Sequence, residues 1–170
     1  MNIIVLVKQV PDTTEMNVDK ETGTLIRTGV PTIINPDDQA GLETALYIKD
    51  TYGAHVTVIT MGPKQATHML KECIALGADD AVLISDRAFA GSDTWATSKI
   101  LSEAIRSRPF DLIIAGRQAI DGDTAQVGPQ VAEFLDIPQI SYIEKFHEVY
   151  DKTLTLTKAY EDHKVTLNIQ

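Results

Sequence analysis

The chain has 170 residues, enough for one well-buried core, and its 44% hydrophobic and 23% charged residues exclude a disordered tail, a collagen and a coiled coil. A net charge of −9 argues against a protein that grips a nucleic-acid backbone, because nothing would neutralise the phosphates. One phosphate-bearing cofactor held by backbone N–H groups stays compatible with that charge. Cys73 is the sole cysteine, so no intramolecular disulfide or thiolate zinc cluster forms. The longest apolar run, residues 3–7, is far short of the roughly twenty residues that cross a bilayer. Lys8 and Asp12 break any signal-peptide pattern. The expectation is a reducing, cytoplasmic setting, with no nucleic acid and no membrane insertion.

Residues 2–10 open on a β-branched, apolar run, which marks a strand buried on both faces and hence central. Residues 11–30 read as an excursion with a β-hairpin turning at Gly23. Asn35-Pro36-Asp37-Asp38 then opens a helix, with Asn as N-cap, Pro at the first helical position and two acids against the dipole. Leu42, Ala45 and Leu46 form its apolar stripe and Gly53 stops it. A strand follows at 55–60, then a turn at Met61-Gly62-Pro63. A second helix points Ala66, Met69, Leu70 and Cys73 inward and closes at Gly77. Residues 81–84 give the next strand. Ser92-Asp93 begins a third helix with Trp95, Ile100, Leu101, Ala104 and Ile105 as apolar positions. Residues 111–116 read as another buried strand and 124–135 as a shorter helix. This alternation predicts an α/β fold, a doubly wound, mostly parallel, Rossmann-like sheet of the adenine-nucleotide-binding kind, in a single domain over 1–170. After Pro138 the helices stop. Residues 139–150, 153–160 and 165–169 read as antiparallel strands that extend the sheet. The last runs into the C-terminus without a closing turn, as in a truncated chain.

In an open parallel sheet, ligands bind beyond the carboxyl ends of the strands, where strand order reverses. The candidate loops are therefore residues 8–12, 61–64, 85–92 and 116–124. The richest stretch is Arg117-Gln118-Ala119-Ile120-Asp121-Gly122-Asp123-Thr124-Ala125-Gln126-Val127-Gly128. Asp123 with Gln126 three residues on fits a capping box. The N–H groups of residues 124–127 would then form an anion site, with the Thr124 hydroxyl beside it. The same residues also fit a capped helix after a flexible turn. Neither a Walker loop nor G-x-G-x-x-G is present. N-P-D-D is either a cap or a second pocket wall, and Met61-Gly62 either admits an adenine or only turns the chain. His55, His68, His147 and His163 lack ligand-like spacing, and no Ser sits in a nucleophile elbow. No catalytic or metal-binding residue is expected. A nucleotide cradle without acid, base or nucleophile points to a binding or carrier module. The alternatives are a stand-alone adenine-nucleotide-binding regulator of the universal stress type and an inert truncated scaffold.

Five segments, V-K-Q-V-P-D (7–12), N-P-D-D (35–38), M-G-P (61–63), L-G-A-D (76–79) and A-G-R-Q-A-I-D-G-D-T-A-Q-V-G-P (115–129), resemble the beta subunit of electron transfer flavoprotein. The resemblance covers the whole chain. It implies a heterodimer with an alpha subunit that holds the electron-transferring FAD and is fed by an acyl-CoA or other dehydrogenase. It also implies a pocket in this chain for AMP or, in electron-bifurcating members, for a second FAD that oxidises NADH. It places there Leu6, through its backbone beside adenine, together with Asn35, Pro36, Asp37, Asp38, Met61 and the stretch from Arg117 to Gly128. The spellings are similar to the bifurcating and nitrogen-fixation branches. Gly122, where AMP-type members are more acidic, leaves room and less repulsion for a pyrophosphate. FAD is thus the expected cofactor and AMP the alternative. Family members continue well past residue 170, through a dehydrogenase-recognising loop and an arm around the alpha chain.

Overall fold

Four of the five residues of β1 (Asn2–Leu6) are buried, because the strand has a core on each side. The computed structural model describes residues 1–12 and 31–170. Ile3, Val5 and Val7 pack with Leu42, Ala45 and Ile48 of α1 (Pro36–Tyr52) and with Met69, Leu70 and Cys73 of α2 (Thr67–Leu76). Ile4 and Leu6 face the other way. They join Leu101 and Ile105 of α3 (Thr94–Arg106) and Val131 and Leu135 of α4 (Val127–Leu135). The two-residue period of a strand sends alternate side chains to opposite cores, which makes the sheet doubly wound.

β1 pairs in parallel with β4 (His55–Met61) and with β6 (Leu112–Ala115), and β4 pairs in parallel with β5 (Asp80–Ile84). The order is β5-β4-β1-β6, so the reversal falls between β1 and β6. β1 is an inner strand, as its sequence predicts. β6 is not the fully buried strand its apolar run predicts. It lies at the edge of this sheet among the described residues, and Leu112, Ile113 and Ile114 are only half-buried.

β2 (Gln9–Pro11) and β3 (Thr32–Ile34) form an antiparallel pair, extended by the bond from Asp12 N–H to Pro31 O at 2.7 Å. The hairpin expected around Gly23 lies outside the described residues. β7 (Ile143–Tyr150), β8 (Thr153–Ala159) and β9 (Lys164–Ile169) are antiparallel, as expected, but form a separate three-stranded sheet. That sheet is joined to the rest by packing. Phe146 meets the rings of Tyr47 and Tyr52 edge-on at 6.1 and 6.5 Å, and Val149 packs beside it.

The helix signals work through identifiable bonds. Gly53 ends α1 in the left-handed region at φ 71°, and its N–H donates to Lys49 O. Asp93 caps α3 by accepting Ala96 N–H at 2.8 Å. Trp95, one of the apolar positions read for this helix, is 59% exposed in the first turn of α3 and rests edge-on against Phe134 at 5.5 Å. Burial pushes the Cys73 thiol up to about 11, so it packs as a small apolar group. No helix among the described residues is long and apolar enough to cross a membrane.

Ile59 is fully buried and faces the α3–α4 core from β4. Ile59→Ala is expected to lower the unfolding free energy by about 2–5 kcal/mol in urea denaturation. A loss below about 1 kcal/mol would contradict that packing.

Candidate functional site

Three segments converge where the carboxyl ends of β1 and β6 meet: residues 7–12, the first turn of α1, and residues 116–126. Side chains bonded to backbone hold them together. Asn35 is fully buried. Its Nδ2 donates to Gln118 O at 2.7 Å and its Oδ1 accepts Ile120 N–H at 3.1 Å. Its own N–H donates to Lys8 O at 2.9 Å. The N-cap role expected of its side chain is therefore corrected. Asn35 makes no side-chain cap bond, because its amide atoms are committed to the distant loop. Pro36 does occupy the first helical position, and Asp37 and Asp38 do sit in the first turn.

Asp38 is buried, and its Oδ2 accepts Lys8 N–H at 2.8 Å. Burial pushes its carboxyl up to about 7. Hydrogen bonds from the Lys8 backbone, the Asn35 side chain and the Gly116 backbone oppose the rise, and the nearby charge of Asp37 adds to it. Gly116 is needed for space. A Cβ there would lie 2.2 Å from Asp38 Oδ1 and 2.8 Å from Asp38 N. Two ion pairs close the rim. Lys8 Nζ lies 2.6 Å from Asp121 Oδ1, and Arg117 Nε lies 3.7 Å from Asp37 Oδ2. Lys8 and Gly116 head two of the candidate loops read from the sequence, 8–12 and 116–124, but are not among the pocket residues that the resemblance implies. The available signals were their places directly after apolar strands.

Beyond this seat the loop turns sharply. Ala119 O accepts Gly122 N–H at 3.2 Å and Asp123 N–H at 2.8 Å. Asp123 and Ala125 both stand at φ 52°. For Ala that left-handed geometry costs roughly 1–2 kcal/mol, and the surrounding bonds hold it. It also keeps residues 123 and 125 out of a right-handed helix. The expected capping box of Asp123 and Gln126 is consequently absent, and α4 begins at Val127 rather than at 124. Gln126 instead turns its Oε1 to accept Thr94 Oγ1–H at 2.8 Å from α3.

The first four N–H positions of a helix lack intrahelical carbonyls. In α4 these are positions 126–129, of which Pro129 has no donor, and the first intrahelical bond runs from Gln130 N–H to Gln126 O at 3.0 Å. This leaves the N–H groups of Gln126, Val127 and Gly128 open among the described residues. The exposed Thr124 precedes them, and a Cβ on Gly122 would meet nothing within 4 Å. Three backbone donors, a hydroxyl and open space make a cradle suited to an anion. Leu6 ends β1 opposite both Ile59 and Ala115, at the floor of the reversal. Met61 ends β4, one strand removed, with its side chain against the α3–α4 core. Gly62 makes a turn, its N–H donating to Ile84 O at 3.0 Å. Two clefts lie elsewhere: one of about 300 Å³ between α2 and β5, and one of about 530 Å³ at the amino ends of the strands.

A family model for the electron transfer flavoprotein domain matches residues 22–170. The chain is 60% identical over 162 residues to an electron transfer flavoprotein subunit beta of Clostridium acetobutylicum, covering 95% of this chain and 62% of that protein. It is 53% identical over 172 residues to the caffeyl-CoA reductase-Etf complex subunit CarD of Acetobacterium woodii, covering 100% and 65%. It is 52% identical over 153 residues to protein FixA of Azotobacter vinelandii, covering 88% and 54%. The chain thus spans less than two thirds of the length of these relatives.

Gly116→Ala is expected to destabilise the fold by about 1–3 kcal/mol in urea denaturation, since backbone rather than a flexible side chain must move. Asp38 gives a pH signature of defined sign. Its folded carboxyl titrates near 7 against an ordinary value of 3.8. Between those values the native chain keeps a proton that the unfolded chain has lost. Its contribution is therefore fully present below about pH 4 and is lost as pH rises to about 7, a change on the order of 4 kcal/mol. Asp38→Asn should remove that component from the stability–pH curve. An unaltered curve would refute the assignment.

Proposed function

The chain belongs to the electron transfer flavoprotein family, and on that premise we propose that it is a beta-type subunit binding an adenine nucleotide at the β1–β6 reversal. The observation that carries this reading is the anion cradle at residues 122–128, held in a strained shape beside the open position of Gly122. The nucleotide we infer is FAD, with AMP as the alternative. The fit is chemical. The phosphates would take the N–H groups of Gln126, Val127 and Gly128 and the Thr124 hydroxyl. Asp121, an acid in the loop, is paired with Lys8 and so adds little repulsion.

In this reading Leu6 offers backbone beside the adenine, Met61 stands further along the same edge, and Pro36, Asp37 and Arg117 wall the crevice. Gln118, Ala119 and Ile120 carry the loop, and Asp123 and Ala125 set its bend. A bound flavin supplies electron acceptance and donation. The chain's own residues bind and orient it. The partners we infer are an electron transfer flavoprotein alpha subunit and an acyl-CoA or other dehydrogenase, with NADH as donor if the flavin is of the bifurcating kind. The setting we infer is the reducing cytoplasm, where a lone buried Cys73 stays a thiol. Family membership displaces the reading as a universal-stress regulator.

The deciding experiment is to denature the purified chain and identify what it releases by absorbance and mass. FAD supports the reading in full. AMP keeps the site and moves the redox work to the alpha subunit. Release of nothing, with no uptake of added FAD or AMP, overturns it for this chain. Thr124→Ala is expected to weaken nucleotide binding by about 1 kcal/mol, roughly fivefold. Gly122→Glu should weaken it more, by filling space and adding charge. Unchanged affinity in both variants would put the phosphates elsewhere.

A further inference from the structure

Asp38 lies where the end of β1, the first turn of α1 and the end of β6 come together. Its carboxylate accepts Lys8 N–H at 2.8 Å and is also bonded by the Asn35 side chain and the Gly116 backbone. Gly116 approaches so closely that one added methyl would sit 2.2 Å from Asp38 Oδ1. Asn35, three residues earlier, grips Gln118 O and Ile120 N–H. Two buried side chains of one helix turn therefore seat residues 116–120. The open donors at 126–128 follow from that seat through the turn at Ala119. A carboxylate so placed is poorly hydrated, and a phosphate brought to the cradle adds like charge.

We propose that Asp38 is a positioning residue of the nucleotide site and takes up a proton as the 116–128 loop closes on the nucleotide. The ligand in this statement rests on the function proposed above; the seat itself does not. Asp38 acts through Gly116 and Asn35, which stand between it and the donors. Among the described residues, the charged groups around it are otherwise matched. Asp37 on its own helix pairs with Arg117, and Lys8 beyond β1 pairs with Asp121 of the loop. From α2 it faces Cys73, whose thiol is pushed up chiefly by burial and in part by the Asp38 charge. Burial holds the Asp38 carboxyl near 7, so the exchange falls in the neutral range. Linkage sets the direction. A seated loop keeps Asp38 dry and an open loop wets it, so the seated, liganded state binds the proton more tightly. Acidification from pH 8 to 6 therefore favours closure and binding.

The test is FAD binding to the purified chain between pH 6 and 8, for wild type and Asp38→Asn. The pyrophosphate of FAD does not titrate in this range. Wild-type affinity is expected to rise about fivefold from pH 8 to 6, and the slope is expected to vanish in Asp38→Asn. A flat wild-type profile, or a slope that survives the substitution, overturns the proposal. A second measurement needs neither the variant nor the ligand. Hydrogen exchange of the Gly116 and Ile120 amides, corrected for intrinsic rate, should show protection growing as pH falls from 8 to 6. Flat protection overturns the proton-linked seat. If the chain binds FAD at no pH while protection still grows, the nucleotide reading fails and the seat stands.

Discussion

The fold depends on a five-residue strand with no solvent face. Both sides of β1 are apolar, so its hydrophobic pattern alone cannot fix its register. A slip by one residue would exchange Ile3 and Val5 for Ile4 and Leu6 and still bury apolar atoms. Register must come from the ends. At the amino end Asn2 N–H donates to Asp111 Oδ2 at 2.7 Å, and Asp111 N–H returns to Asn2 O at 2.8 Å. At the other end Val7 N–H reaches Ile59 O at 3.0 Å and Lys8 N–H reaches Asp38. The bond that helps register the central strand is thus also a wall of the candidate site.

That sharing explains why the site is built of side chain to backbone bonds. Among the described residues no ladder joins residues 116–120 to the first turn of α1, yet buried peptide groups must find partners. Asn35 supplies both kinds of atom in one amide and stands in for a missing strand neighbour. Asp38 does the same for donors alone. Once residues 116–120 are seated, the following residues have little freedom, and Ala125 is held in a conformation it would not choose. Strain held in this way is carried by the bonds of the seat, so the shape of residues 123–125 depends on the seat being formed.

Local signals were legible in the sequence. The stripes of α1 and α2, the Gly53 stop, the Asp93 cap and the central place of β1 depend on neighbours close in the chain. Signals that failed did so where a distant residue outbid a near one. Asp123 and Gln126 have capping-box spacing, but Thr94 from another helix takes the Gln126 side chain. Asn35 has the identity of a cap, yet residues more than eighty positions later claim its amide. The apolar run of β6 gives no hint that the strand lies at an edge. The C-terminal strands announce themselves by alternation, but nothing in alternation says which sheet they join. Of the crevice, the 115–129 segment was legible as a motif. The closeness of Gly116 to Asp38 was not, because a glycine in a sequence does not name the atom it makes room for.

The β2–β3 pair has a consequence for how the chain tolerates change. Its ladder brings Pro11 opposite Thr32, and the bond from Asp12 to Pro31 closes the pair just beyond. The two ends of the segment between those positions are thereby held side by side. The closure entropy of such a segment grows only logarithmically, by about 0.6 kcal/mol for each doubling. With its ends fixed by the β2–β3 pair, a change in that segment's length adds little to the entropy of closing it.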